Sequence, residues 1–86
     1  MDNFDADLER KVIAYLAPLM EANIGMIGEL MFPVHTPARR RELSKKLIRQ
    51  MQKKGLVVYL RELDAWRLSR MGRMKFDARQ TERSSA

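Results

Sequence analysis

The chain of 86 residues carries a formal net charge of +6, is 45% hydrophobic and contains no cysteine. This length and hydrophobic content allow one domain with a small core and exclude wholesale disorder, while the lack of cysteine excludes disulfides and thiolate metal sites and is typical of the cytoplasm. The apolar runs are far shorter than the roughly 20 residues of a membrane span, and the acidic N-terminus is unlike a signal peptide, so we expect a cytoplasmic protein with no membrane partner.

The first predicted element is an amphipathic helix over residues 7–20. Its apolar residues recur at helical spacing and form one stripe: Leu8, Val12, Ile13, Leu16, Leu19 and Met20. Asp5 or Asp7 can cap the first turn, where a carboxylate meets free amide groups. Pro18 is expected to kink or close the last turn.

A short second helix is predicted over residues 24–31, with Asn23 as its N-cap. Its two glycines each cost about 1 kcal/mol relative to alanine, so the helix is weak in isolation. Its apolar content predicts that it lies buried against its neighbours. Residues 32–35 form the connector, because Pro33 prevents the helix from continuing.

The third helix, predicted over residues 37–54, has the clearest signals. Thr36 fits the N-cap, Pro37 fits the first helical position, and Gly55 fits the position after the C-cap. One face is apolar and consists of Leu43, Leu47, Ile48 and Met51. At 100° per residue the opposite face consists of Arg41, Glu42, Lys45, Arg49 and Lys53. The helix is therefore expected to bury one side and to present a cationic ridge on the other.

A β-hairpin is predicted after this helix. Residues 56–61 are rich in β-branched and aromatic side chains and are too few for another helix. Residues 63–65 form a plausible tight turn, and residues 66–68 alternate as a return strand. Trp66, at the start of the return strand, is expected to anchor the core.

A short final helix is predicted to start after Ser69, whose hydroxyl can cap it, and to run through Ala78. Four methionines have core-like spacing and are expected to be packed inside: Met20, Met51, Met71 and Met74. Residues 80–86 have nothing to bury and are expected to be disordered, so the domain is assigned to residues 1–79.

Charge is distributed unevenly along the chain. Residues 1–36 hold two basic and six acidic residues (2 − 6 = −4), whereas residues 37–86 hold fifteen and five (15 − 5 = +10). Such a field attracts a polyanion to one side of a small domain. The alternative is a solubilised surface with a basic tail, but here the basic residues continue through the predicted elements.

Three helices, a hairpin and a short helix follow the order of a winged helix-turn-helix domain. Two spacings resemble MarR-like and PadR-like bacterial regulators: Leu47-x-x-x-Met51-x-x-x-Gly55-Leu56-Val57, and Trp66-x-Leu68-Ser69-x-x-Gly72. The resemblance implies a mainly α, α+β winged helix-turn-helix fold. It also implies a sequence-specific double-stranded DNA-binding protein, a transcriptional regulator at the nucleoid, with the helix at about 37–54 in the major groove.

The sequence departs from that pattern at two places. The connection between the second and third helices contains two prolines, Pro33 and Pro37, and lacks the compact turn of the usual motif. The hairpin tip is short and carries Glu62 and Asp64, which repel phosphate. The tip is therefore expected to contribute less to DNA binding than the third helix does, with Arg61 or Arg67 reaching the DNA backbone.

The resemblance places the N-terminal part of the third helix near DNA, where guanidinium groups can bind guanine edges and phosphates. The candidate DNA-binding residues are Arg39, Arg40, Arg41, Ser44, Lys45, Arg49, Arg61 and Arg67. Arg40 is expected to face back toward the core side and to bridge locally. Backbone amides near residues 37–39 are expected to meet a phosphate at the positive end of the helix.

Other functions remain open at this point. A winged-helix protein–protein interaction module with an acidic partner, or a nonspecific architectural nucleic-acid binder, fits the same composition, and the domain is compatible with a homodimer. The sequence has no nucleophile–base pair and no metal-ligand spacing, and its acidic residues look like caps and surface charges. We therefore expect no enzymatic activity, no cofactor and no metal, with His35 as a loop residue.

Overall fold

The structure, a computed structural model, describes residues 4–84, and the side chains of residues 4–79. These residues form three helices, α1 (Ala6–Leu16), α2 (Ile24–Met31) and α3 (Pro37–Lys53), then strands β1 (Val57–Leu60) and β2 (Ala65–Leu68), and a last helix, α4 (Arg70–Ser84). The two strands pair as an antiparallel hairpin. The fold is therefore α+β and mainly helical, and its layout is compatible with a winged helix. None of the helices in this part of the chain is long and apolar enough to cross a membrane.

Helix α1 starts as predicted and ends earlier than predicted. Asp5 caps it by accepting a hydrogen bond from the Leu8 amide at 3.0 Å. The prediction that it continues to residue 20 is wrong, since Pro18 has no amide and restricts the residue before it. Beyond the end, Leu19 packs partly on the core, but Met20 is exposed, contrary to its predicted burial.

The core lies where the apolar stripes of α1 and α3 meet the start of the hairpin. Its most buried large side chains are Val12, Leu16, Ile27, Leu47, Ile48, Met51, Leu56 and Val57. Burying each such side chain contributes about 1.5–3 kcal/mol. The predicted apolar faces of α1 and α3 are confirmed by this cluster.

The predicted burial of α2 against its neighbours holds for one side of the helix only. Its inner side presents Ile27 and Gly28 to α3, whereas Met26 and Leu30 on the other side remain exposed. A Cβ at Gly28 would lie 2.9 Å from Ser44 Oγ, which is closer than real Cβ contacts allow. Glycine at this position therefore lets α2 approach α3 closely.

The chain leaves α3 through the predicted Gly55. This glycine has φ = +76°, a conformation that costs other residues roughly 1–2 kcal/mol. The Gly55 amide donates to the Gln52 carbonyl at 2.9 Å, and the Leu56 amide donates to the Met51 carbonyl at 2.9 Å. These two bonds form a Schellman motif, which closes the helix and directs the chain into β1.

The hairpin is close to the predicted one, with a different turn. The turn comprises residues 61–64, not 63–65, and Asp64 closes it with φ = +48°. Its side chain accepts a hydrogen bond from the Tyr59 hydroxyl at 2.7 Å, which offsets part of the backbone strain. Trp66 packs against the core as expected.

The far edge of β2 makes a backbone contact that the sequence pattern does not indicate. Ala22 and Trp66 exchange two amide–carbonyl hydrogen bonds of 2.8 Å each, so the segment between α1 and α2 joins the hairpin as an isolated bridge. A single bridging residue carries no periodic signal, which explains why the alternation pattern did not indicate it.

Helix α4 differs from its prediction in two respects. Ser69 caps it as expected, accepting from the Gly72 amide at 3.0 Å. The predicted burial of Met71 and Met74 is wrong: both are exposed, because α4 faces the core through Gly72 and Phe76. The helix also runs to Ser84, beyond the predicted end at Ala78. Residues 85–86 of the predicted tail lie outside the described part.

Glu9 ties the N-terminal helix to the end of α3. Its carboxylate is only 6% exposed and lies 2.8 Å from the Lys54 ammonium, with a 2.7 Å hydrogen bond from the Gln50 amide. Burial raises the pKa of Glu9, but the hydrogen bonds from Lys54 and Gln50 and the positive charges of Lys54 and Lys75 outweigh it. The pKa of Glu9 is therefore lowered from its usual value. The view of every acidic residue as a cap or surface charge is therefore wrong for Glu9.

Candidate nucleic-acid interface

Helix α3 is fixed at both ends, which sets its outward face. Thr36 Oγ1 accepts from the Arg39 amide at 3.3 Å, and Pro37 occupies the first helical position. At the other end the Gly55 motif stops the helix. Five residues of one side are buried, namely Leu43, Ser44, Leu47, Ile48 and Met51. The remaining side chains are directed outward by the helical rotation.

Four cations follow one another at intervals of four residues along that outward side. They are Arg41, Lys45, Arg49 and Lys53, all exposed, and we call them the cationic stripe. At about 1.5 Å per residue the stripe spans roughly 18 Å. None of the four forms an ion pair with the side chains that the structure describes. The stripe is therefore free to bind a polyanion.

Lys53 was not among the predicted site residues, although the sequence contains the signal for it. It stands four residues after Arg49, the same interval that separates the other members of the stripe. The predicted site residues of α3 end at Arg49, because the resemblance indicates DNA contacts mainly for the N-terminal part of the helix.

Glu42 lies among these cations and holds two others. Its carboxylate is 3.1 Å from the Arg39 guanidinium and 3.4 Å from the Lys46 ammonium. The hydrogen bond from Arg39, and then that from Lys46, holds the pKa of Glu42 below its usual value. Arg39 is therefore exposed as predicted, but its charge is already opposed by a neighbouring carboxylate.

Two predicted contacts, those of Ser44 and Arg40, are turned away from the outward face. Ser44 is completely buried at the contact with Gly28, so its prediction as a DNA-binding residue is wrong: a side chain facing α2 cannot also face solvent. Arg40 is half-buried and donates to the Phe32 and Pro33 carbonyls at 3.2 and 2.8 Å. The expected local bridge by Arg40 is confirmed, and this use removes it from the interface.

The bond from Arg40 also stabilises the connection between α2 and α3. A guanidinium that binds carbonyls at the C-terminal end of a helix satisfies acceptors left without an intrahelical partner. The two-proline connector is therefore held in place by a side chain of α3 itself. Together with the close approach at Gly28, this fixes the position of α3 relative to α2.

The N-terminus of α3 offers phosphate little. Pro37 has no amide hydrogen, the Arg39 amide is bonded to Thr36 Oγ1, and the Arg40 amide donates to the Thr36 carbonyl at 2.8 Å. Of residues 37–39 this leaves the Ala38 amide for the expected phosphate contact, which stays a prediction for that one amide.

The remaining predicted residues belong to the hairpin. Arg61 is in its turn and Arg67 is in β2 opposite Val58, and both are exposed. The pKa of Tyr59 is raised, first by the hydrogen bond that its hydroxyl donates to Asp64 and then by burial and the negative charge of Asp64. Tyr59 therefore stays a neutral phenol beside Asp64. The tip thus keeps its negative charges beside Arg61.

A groove with a volume of about 580 Å³ lies between α1 and α4. Its apolar lining includes Ile13, Leu56 and Phe76, and its acidic lining includes Glu9. Because the pKa of Glu9 is lowered, its carboxyl is ionised at neutral pH and is unsuited to donating a proton. No group of three or more potential metal ligands occurs among the described residues.

Comparison with known proteins adds no relative to this picture. The chain matches no family model, and no curated protein and no solved structure shows significant similarity to it.

Proposed function

We propose that this protein is a winged helix-turn-helix that binds double-stranded DNA in a sequence-specific manner and acts as a transcriptional regulator at the nucleoid. In this proposal α3 enters the major groove and the cationic stripe faces the DNA. The proposal assigns the protein no enzymatic activity, cofactor or metal. The observation that carries it is the stripe of four exposed cations, none of which has an ion-pair partner among the described side chains.

The charge of α3 supports this orientation. The helix contains seven basic residues and one acidic residue (7 − 1 = +6), whereas residues 1–36 sum to −4. A polyanion is therefore attracted to α3 more strongly than to the N-terminal part of the chain. A helix that only served solubility would carry both signs in similar number.

The proposed interface differs from the predicted one in three respects. Arg41, Lys45 and Arg49 remain, Lys53 is added, and Ser44 and Arg40 are left out. Arg39 takes part only if DNA competes with Glu42 for its guanidinium. Arg61 and Arg67 stay as predicted contacts of the hairpin.

Fluorescence anisotropy with a labelled duplex, at several salt concentrations, tests the proposal. Wild-type protein should bind with steep salt dependence, and Lys45→Ala or Arg49→Ala should each reduce the slope of log K against log salt by about 0.9. Lys11→Ala removes the same charge from an exposed position on α1 and is the matched control. No binding at low salt, or an equal loss in the control variant, would contradict the proposal.

The exposed apolar side of α2 favours a second candidate, a winged-helix module that binds another protein. A third candidate, a nonspecific architectural binder, shares the stripe but not the specificity. Competition with random duplex distinguishes the first and third, because a specific site is bound typically 10³–10⁷ times more tightly than random DNA. A stoichiometric protein complex in the absence of any DNA shift would favour the second.

A further inference from the structure

Helix α2 is apolar at every position except Glu29 and yet has an open outer side. Glu29 is its one charged residue, and residues 12–38 contain neither Lys nor Arg. Met26 is 40% exposed and Leu30 is 50% exposed, on the side opposite Ile27 and Gly28. Exposed large apolar side chains grouped on one side of such a helix indicate a contact surface. We call Met26, Glu29 and Leu30 the α2 face.

Helix α4 has a matching surface of the opposite charge. Met71 is 52% exposed and Met74 is 63% exposed, and Arg70 and Arg73 flank them. By the helical rotation Arg70 and Met74 lie opposite Gly72 and Phe76, and Met71 and Arg73 lie at the two edges of that outer side. We call these four residues the α4 face. Asp77 follows one turn later and is already engaged in an interaction of its own.

The other surfaces of the chain fit the α2 face less well. Contact of the α2 face with its own copy would bring Glu29 toward Glu29, two like charges in an apolar contact. The cationic stripe has charge but no large exposed apolar side chain. The hairpin has such side chains, but its two arginines are balanced by Glu62 and Asp64.

We propose that the protein self-associates by packing the α2 face of one copy against the α4 face of another. Met26 and Leu30 then bury apolar area against Met71 and Met74, while Glu29 lies near Arg70 or Arg73. Methionine suits such a contact because its flexible side chain adapts to an irregular partner surface. The contact involves none of the residues proposed to bind DNA and does not depend on DNA binding.

Sedimentation of the full-length chain without DNA, across a concentration series, tests this contact. Wild-type protein should associate, and Glu29→Lys and Arg73→Glu should each weaken association by roughly tenfold, because one attraction becomes a repulsion. A mixture of the two variants should associate more tightly than either alone, since each changed face meets an oppositely charged one. Circular dichroism verifies that both variants are folded.

Matched controls place the same charge changes elsewhere. Glu62→Lys in the hairpin turn and Lys11→Glu on α1 should leave association unchanged. The proposal is overturned if wild-type protein stays monomeric throughout, if a control variant weakens association as much, or if the mixture associates no better than its components. Loss of association in Glu29→Lys with none in Arg73→Glu would also overturn it, by excluding α4 as the partner surface.

Discussion

Ser44 provides the sharpest test of how the structure revises the interface. Its hydroxyl is 0% exposed and has no hydrogen-bond partner among the described atoms, although the sequence pattern placed it at the DNA. We predict that Ser44→Ala raises the free energy of unfolding and leaves DNA affinity unchanged. Most substitutions of buried residues destabilise, so a gain at this position is a distinctive outcome.

The magnitude follows from three contributions. A buried hydroxyl without a partner costs about 1–3 kcal/mol, which alanine removes. Alanine also has a higher helix propensity than serine, by about 0.5 kcal/mol. The lost oxygen leaves a small void beside Gly28, which costs about 1 kcal/mol. The net gain is about 0.5–2.5 kcal/mol, and each kcal/mol corresponds to a rise in Tm of roughly 4–8 °C for a domain of this size.

The contact with Gly28 gives an independent check. Gly28→Ala alone places its new Cβ 2.9 Å from Ser44 Oγ and 3.2 Å from Arg40 Cβ, and overpacking of this kind costs about 1–3 kcal/mol. When Ser44 is alanine, the nearer of the two contacts is gone. The double variant should therefore be more stable than the sum of the single effects, by about 0.5 kcal/mol or more.

Urea and thermal unfolding of the four proteins measure these effects, with anisotropy titrations of DNA in parallel. Ser69→Ala is the control, since the Ser69 hydroxyl is bonded to both Gly55 and Gly72 and its loss should destabilise by about 0.5–2 kcal/mol. A fall in the stability of Ser44→Ala would refute the reasoning. So would weaker DNA binding by a variant that is as stable as wild type.

Three further outcomes are expected. Gly72→Ala should lower the free energy of unfolding, measured in urea, by about 3 kcal/mol or more, because its Cβ would lie 2.2 Å from the Leu56 carbonyl oxygen, a backbone atom that cannot move aside. A near-neutral effect would contradict this close approach. Because folding lowers the pKa of Glu9, the contribution of its ionised carboxylate to the free energy of unfolding is fully present above the ordinary pKa of 4.5 and is lost as the pH falls through the lowered value. Glu9→Gln should therefore be less stable than wild type at neutral pH and should lose less stability on acidification. An unchanged loss of stability in acid would refute the ion pair with Lys54. Glu42→Gln should strengthen binding to random duplex, measured by anisotropy at low salt, because it removes a carboxylate from the face that meets phosphate; weaker binding would show that this carboxylate contacts DNA favourably.

Several local features could be predicted from the sequence because they depend on residues close together in the chain. The caps by Asp5, Asn23 and Ser69 each use a side-chain oxygen and an amide three residues later. Gly55 closes α3 through bonds that span only a few residues. Periodicity likewise identified the apolar faces of α1 and α3, because each face follows from the rotation of one helix.

Other features required knowledge of which elements meet. Met71 and Met74 have core-like spacing, but whether that side of α4 is covered depends on where α4 lands on β1 and β2. Glu9 has the helical spacing of the apolar face of α1, but which cation accompanies its buried carboxylate is decided by the end of α3, where Lys54 lies across from it. Ala22 pairs with a residue more than forty positions away, and one such bridge leaves no local pattern.

The cationic character of α3 was determined by the sequence alone, because composition and helical rotation suffice to separate an apolar side from a charged one. The tertiary structure decided which of its polar groups are available to a partner. Packing of α2 buries Ser44 and engages Arg40, and an ion pair with Glu42 occupies Arg39. The four cations of the stripe have no ion-pair partner within the part of the chain that the structure describes. Availability is a property of the neighbours of a side chain, and those neighbours are set by contacts between elements distant in the chain.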